Sequence, residues 1–357
     1  MNQKSSTKRR NSASQTKACR RRWRVALLAL VAIVVIAGAG LAWLGAKAWH
    51  RYDGSTSVRV YLPQDTDCQA LADSLKTRLG AFGDDVYALW KMRGCDIDRV
   101  HGSYVIAPGD RAWSVTNRLR TGTQTPVKVT FNNVRTIGEL SRIVSRNLEF
   151  DSAAFEQAMD TVLRARNFRR AEYPAAFLPD TYEFYWTANP KHVVNTMLEV
   201  RDNFWDSARR GKAEELFLTP RQISTIASIV EEETAKSDER PKVARLYLNR
   251  LNHNMKLQAD PTVKFAVGDF SIRRITGEHL KVNSPYNTYQ HVGLPPGPIR
   301  VPERSTIDAV LNAPRHDYLF MCAKEDFSGY HNFAKDFNEH RANAQRYQSE
   351  LNRRNIK

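Results

Sequence analysis

The chain has 357 residues, with 54 Lys and Arg against 38 Asp and Glu and a formal net charge of +16. Nine of the positive charges (Lys4, Lys8, Arg9, Arg10, Lys17, Arg20, Arg21, Arg22 and Arg24) fall within the first 24 residues, which hold no acid, so about +7 is left for the rest. The basic balance is therefore mostly a topology signal, and with no zinc-finger spacing, RNP-like strand or basic zipper in the sequence, a nucleic-acid partner is not expected.

Residues 1–24 form a basic tail, and Val25 to Ala46 follow as 22 residues without a charge. That run is long enough to cross a bilayer and longer than the roughly 7–15 residues of a signal-peptide apolar region. It reads as a retained single-pass helix over 25–46, although Ala37-Gly38-Ala39 and Ala46-Lys47-Ala48 both imitate a cleavage site. Because Lys and Arg concentrate on the cytoplasmic side of a span, the N-terminus is expected inside. About 310 residues then lie outside the cytoplasmic membrane of a bacterium-like cell. Cys19 then falls in a reducing compartment and Cys68, Cys95 and Cys322 in an oxidising one, where a Cys68–Cys95 bridge would contribute on the order of 3 kcal/mol.

Three strand–turn–helix units come next. Val58 to Leu62 leads into a helix ending near Leu79, and Ser103 to Ile106 into one ending near Leu119. Val127 to Phe131 leads through the capping pair Thr136 and Glu139 into a helix ending near Asn147. Val127, Val129 and Phe131 alternate with Lys128 and Thr130, as on a sheet with one buried face. Gly122 to Pro126 reads as a domain boundary. From about residue 150 to Pro261 the chain reads as mainly helical, interrupted by an aromatic, turn-rich segment at Tyr173 to Trp186 taken as a loop lining the core.

The chemistry concentrates at Thr219 to Thr234. Thr219 can cap a helix, Pro220 suits its first position, and Gln222 can reach back to the cap. Ile223, Ile226, Ala227 and Val230 form one apolar stripe, and Glu231, Glu232 and Glu233 end the segment. At about 100° per residue Glu232 points away from the stripe, whereas Glu231 and Glu233 border it. A carboxyl at that border loses water, has its pKa raised, and can act as a general acid. Gln258 and Asp260 read as lying on a turn before Pro261. Tyr286-Asn287-Thr288-Tyr289 and Gly293-Leu294-Pro295-Pro296-Gly297 read as a rigid loop able to wall a groove, with Tyr286 and Tyr289 stacking on sugars and Asn287 bonding hydroxyls or amides. His253, His279, His291, His316, His331 and His340 are scattered, with no H-E-x-x-H and no paired C-x-x-C, so no metal or cofactor is expected.

Taken in order, Ala227 to Thr234, Val243-Ala244, Asn249-Arg250, Leu257 to Val263, Tyr286 to Tyr289 and Gly293 to Gly297 resemble the YceG-like endolytic murein transglycosylases. Phe177 to Tyr182 resembles a further segment of that family, and Gly102 to Val105 resembles its small LysM-like module. The resemblance implies an α+β chain: one transmembrane helix, a LysM-like α/β module over 52–125, and a larger mixed α/β transglycosylase domain over 126–357 with its catalytic glutamate on a helix. It assigns catalysis to Glu233, directly before Thr234, and leaves Gln258, Tyr286, Asn287 and Tyr289 as candidates for binding substrate. The middle of the triplet, Glu232, departs from the lysine the family often has there, and three adjacent carboxylates are expected to resist ionisation at Glu233.

The implied reaction is cleavage of the β-1,4 bond from N-acetylmuramic acid to N-acetylglucosamine in nascent peptidoglycan, leaving 1,6-anhydro ends. The sugar's own C6 hydroxyl attacks, so one carboxyl serves first as acid and then as base. Its pKa would need to rise from about 4.3 toward 6. The implied partners are glycan strands, the cytoplasmic membrane and wall-synthesis proteins. The competing readings are a non-catalytic glycan-binding scaffold and a hydrolytic muramidase using Asp260 or Glu239 as second carboxylate.

Overall fold

A computed structural model describes residues 6–272 and 274–354, with side chains from residue 21 onward; Met1 to Ser5 of the basic tail and the Cys19 side chain lie outside the described residues. The chain divides into two compact units, Met1–Thr125 and Pro126–Lys357.

The first unit begins with one unbroken helix, α1 (Ser6–Trp49). Within it Arg21–Trp49 is the one helix among the described residues long and apolar enough to cross a membrane, and Leu27, Leu28, Ile33, Ile36 and Leu41 are exposed along it. Its last turns dock onto the rest of the unit. Leu44 and Ala48 pack against the core, Lys47 bonds Asp85, His50 Nδ1 lies 2.7 Å from the same carboxylate, and the Arg111 guanidinium sits 4.0 Å from the Trp49 ring centre. There follow β1 (Val58–Leu62), α2 (Cys68–Leu79), α3 (Ala81–Met92), β2 (Gly102–Ile106) and α4 (Ala112–Thr121).

β1 and β2 pair antiparallel with Val60 opposite Tyr104, and Val60, Leu62, Leu71, Leu75, Val86, Leu89 and Ile106 fill the space between sheet and helices. α3 is an addition to the sequence expectation. Gly80, at φ 60°, ends α2 in a conformation that costs glycine nothing, and a second amphipathic helix starts at once, burying Phe82, Val86, Leu89 and Trp90. Cys68 and Cys95 are free thiols, so the bridge between them is not formed.

The second unit contains β3 (Val127–Phe131), α5 (Ile137–Ser145), α6 (Ser152–Ala165), β4 (Asp180–Phe184), α7 (Pro190–Phe204) and α8 (Ser207–Glu215). After them come α9 (Pro220–Glu233), α10 (Arg240–Asn252), α11 (Asp260–Val267), α12 (Arg304–Leu311), β5 (Phe320–Ala323), β6 (His331–Ala334) and α13 (Phe337–Arg353). β3 alternates buried and exposed as its sequence requires, and pairs antiparallel with β4.

β4 corrects the reading of Tyr173 to Trp186 as loop. Residues Arg170–Ala176 form a 3-10 helix, and Asp180–Phe184 is a strand whose Tyr182 stacks between Phe131 and Phe184 at 5.7 and 6.1 Å. Asp-Thr-Tyr-Glu-Phe also fits period-2 alternation, which the flanking prolines obscured. Thr136 caps α5 by accepting from Glu139 N, while the Glu139 carboxylate accepts from Arg135 N, one residue before the cap.

Candidate active site

α9 starts with both halves of its cap formed: Gln222 N donates to Thr219 Oγ1 at 3.3 Å and Thr219 N donates to Gln222 Oε1 at 2.9 Å. The apolar face, Ile223, Ile226, Ala227, Ile229 and Val230, is fully buried against α10 and α12. The helix stops at Glu233 because Thr234 is extended, at φ −138° and ψ 131°.

Two loops then decide what happens to the three glutamates. Residues 283–303 form the long loop expected from its Pro and Gly content. Gly297 lets it lie against the 3-10 helix, since a Cβ there would sit 1.8 Å from the Ala171 carbonyl oxygen. The loop is tied to α9 by Ile299 N donating to Ser228 Oγ at 3.0 Å and Glu303 N donating to Glu231 Oε2 at 2.9 Å. From it Arg300 reaches Glu231 at 3.0 Å and Glu232 at 2.7 Å, and Arg135 adds a second bond to Glu232 at 3.0 Å. Glu232, which the helical wheel had pointing away from the apolar stripe, is thus half-buried and doubly paired. The chain covering that side comes from residues 133–135 and 300, which the wheel does not contain. Burial raises the pKa of Glu231 despite Arg300 and the Glu303 N–H.

Glu233 faces the other way, into a pocket of about 200 Å³ lined also by Tyr247, Arg250, Gln258, Asp260, Tyr289, Cys322 and His331. Its Oε1 accepts a 2.7 Å bond from Tyr247 Oη. The carboxyl keeps one edge open to the pocket, while surrounding protein strips it of water and pushes its pKa up to about 7; Asp260 adds to the rise, and Tyr247, His331 and Arg250 oppose it. Asp260 is the acid with the largest effect on Glu233, while Glu231 and Glu232 are paired with arginines. A carboxyl titrating near 7 can give and take a proton at neutral pH.

The remaining walls are equally specific. Arg250 is buried, with its guanidinium donating to Leu257 O at 2.7 Å and Leu319 O at 2.6 Å, so its charge is held by carbonyls and stays within Coulombic reach of Glu233. Gln258 lines the pocket from a left-handed backbone, φ 50°, a conformation that costs a non-glycine residue on the order of 1 kcal/mol. Its N–H donates to Thr288 O at 3.1 Å. Asp260 is the first residue of α11 and accepts from Tyr289 Oη at 2.6 Å. His331, on β6, is fixed by Glu239, which accepts from its N at 2.7 Å and faces its Nδ1 at 2.9 Å.

Of the sequence candidates, Glu233, Gln258 and Tyr289 come together in the pocket, whereas Tyr286 and Asn287 do not line it. Tyr286 packs on Phe265 with ring centres 4.7 Å apart. Asn287 is wholly buried, its amide donating to Leu280 O and Val282 O and accepting from Tyr289 N. It holds the loop that carries Tyr289. Tyr247 and His331 were missed. A signal existed for Tyr247, on the buried face of α10 with Val243 and Ala244, since a buried Tyr hydroxyl needs a partner. Among the described residues no group of three or more His, Cys, Asp or Glu is placed to hold a metal ion.

The family model described as YceG-like matches residues 60–346. The endolytic murein transglycosylase of Bacillus subtilis is 25% identical over 319 residues, covering 84% of this chain and 87% of the relative. That of Streptococcus pneumoniae R6 is 32% identical over 152 residues, 41% of this chain but only 27% of the longer relative. A crystal structure of a putative yceG-like protein from Listeria monocytogenes superposes with a TM-score of 0.54 at 22% identity, covering 81% of this chain and 99% of that one, a likeness of fold. With a match extending from β1 into α13, the chain belongs to the YceG-like family.

Proposed function

We propose that the protein is a membrane-anchored lytic transglycosylase that cuts peptidoglycan strands internally at the bond from N-acetylmuramic acid to N-acetylglucosamine, leaving 1,6-anhydro ends. The observation that carries this reading is the Glu233 carboxyl, set in the pocket with a pKa near 7 and bonded directly by Tyr247 rather than by a cation. Protonated, Glu233 delivers its proton to the leaving glycosidic oxygen. Ionised, it takes the proton from the C6 hydroxyl as that oxygen closes on C1. Intramolecular attack has a high effective concentration, which offsets the want of an enzyme nucleophile. The relatives' name, endolytic murein transglycosylase, supports the substrate and the reaction type.

The first unit is proposed as a LysM-like glycan-binding module, supported by two helices inserted between the antiparallel strands β1 and β2. The anchor is proposed as retained, with the N-terminus inside. Lys47 and Ala48, within one of the cleavage-like triplets, belong to the packing of the first unit, so cutting there would remove contacts the fold uses. Synthesis proteins of the wall are proposed as neighbours at the membrane.

A second reading, a muramidase, draws on Asp260 lining the same pocket as Glu233. Digesting peptidoglycan with the full chain in detergent, beside Glu233→Gln, and weighing the products separates the two. Anhydro ends from the first protein and a loss of about 10³-fold in the second are expected. Products one water heavier would establish hydrolysis instead.

A further inference from the structure

The β5–β6 hairpin contributes a group that the reaction just described does not use. His331 and Cys322 from its two strands line the pocket that holds Glu233. The Glu239 carboxylate is almost wholly buried and faces His331 with both its oxygens, one toward the backbone N–H and one toward Nδ1, with a further hydrogen bond from the Thr234 side chain. A buried acid with both oxygens on one histidine fixes the ring's orientation and favours its charged form, in the way a carboxylate orients a metal-binding or catalytic imidazole. With Nδ1 occupied, the free edge of the ring is Nε2.

We propose that His331 is a substrate-contacting cation, held by Glu239 so that its Nε2–H donates to an acceptor oxygen of the glycan beside the bond that is cut. This rests on the transglycosylase reading for the identity of the substrate, but not for the existence of the contact. The lactyl and N-acetyl groups of a muramyl residue carry carbonyl oxygens of the kind a charged N–H binds well. The titratable groups that face His331 are Glu239, from the start of α10, and Glu233, from the end of α9; Cys322 of β5 lines the same wall. Burial alone would lower the pKa of His331, yet Glu239 and, beyond it, Glu233 hold it above the usual value. The same pairing holds Glu239 below the usual carboxylate range against its own burial. The effect on Glu233 runs in the opposite sense to that of Asp260: a cation at His331 favours the ionised carboxylate.

The experiment compares full-length wild type, His331→Gln and Glu239→Gln in detergent, acting on uncrosslinked glycan strands across pH 5 to 9. Both variants are expected to raise KM about tenfold, and to move the alkaline limb of kcat/KM upward by about one pH unit, because Glu233 loses a neighbouring cation and stays protonated longer. An unchanged KM and an unchanged limb in folded variants overturn the proposal, since a merely structural His331 would alter stability and leave the limb in place. Should either variant fail to fold, the imidazole nitrogens of His331 in Glu233→Gln protein report the contact directly. A shift of Nε2 on adding a muramyl oligosaccharide supports it, and none overturns it. Wild type that makes no anhydro ends would count against the transglycosylase reading alone, because the resonance experiment needs no turnover.

Discussion

The last turn of α9 carries three identical side chains into two different surroundings. On one side Glu231 and Glu232 meet Arg300, Arg135 and a backbone N–H from the 283–303 loop. On the other Glu233 meets a tyrosine hydroxyl, an acid and two cations, Arg250 held by backbone carbonyls and His331 held at Nδ1 by Glu239. The contrast shows that the chemistry of a carboxyl here is set by which loop covers it, not by the helix that bears it. The clamped pair fixes the helix end, and the unclamped third titrates near neutral pH.

Replacing Arg300 breaks the clamped side outright. Arg300→Met leaves Glu231 buried without its cation, and should destabilise the protein by about 3–5 kcal/mol in urea unfolding at pH 7. A loss under 1 kcal/mol would mean the clamp is idle. On the other side Glu233→Gln should do the reverse. Below the ordinary carboxylate value of 4.5 the group is protonated in both folded and unfolded chains and costs nothing. As pH rises from there to about 7 the unfolded chain ionises first, so the fold loses stability, in total by about 3 kcal/mol above pH 7. Glu233→Gln should therefore be more stable than wild type at pH 8 by up to that amount, and near parity at pH 4. Equal stability at both pH values would show that Glu233 is not desolvated.

Tyr247→Phe sharpens the comparison by removing the one direct bond to Glu233. A hydrogen bond to a charged group is worth about 1.5–3 kcal/mol, so the carboxyl should titrate about one unit higher and the alkaline limb of kcat/KM should follow. A limb that stays where it was would release Tyr247 from the site. Smallest is Gln258→Gly. It relieves a left-handed residue at the cost of a freer unfolded chain, and should gain at most about 0.5 kcal/mol in thermal unfolding while weakening glycan binding. A gain in stability with undiminished binding would make Gln258 a bystander.

The parts of this site that can be read along the chain are those built from near neighbours. The cap at Thr219 and Gln222, the stripe from Ile223 to Val230, the alternation of Val127 to Phe131 and the stiffness of the Pro-rich loop each follow from spacing of a few residues. What could not be read is the pairing across distance. Glu232 and Arg300 are 68 residues apart, and Glu239 and His331 are 92 apart. Nothing in the composition near Glu231 announces the arginine that takes it out of contention, which is why helical geometry alone left two candidates and the resemblance had to choose. Asn287 shows the opposite failure. Its residue type suits sugar hydroxyls, but the same amide suits two carbonyls and an N–H of its own loop, and the loop won. The β4 strand was hidden because prolines at Pro174 and Pro179 advertise turns more loudly than five residues advertise alternation.

The apolar helix and the first unit share one continuous helical phase. Arg21–Trp49 spans 29 residues, about 43 Å at the usual rise, against a hydrocarbon layer of about 30 Å, and its final turn is already docked through Leu44, Lys47 and Ala48. No slack separates the two, so the azimuth of the helix in a bilayer is also the azimuth of the unit. One alanine inserted after Ala39 would swing the unit by about 100° around the helix axis relative to the N-terminal half, two would swing it by about 200°, and only an insertion of close to a whole turn, three or four residues, would bring it back to face the same direction.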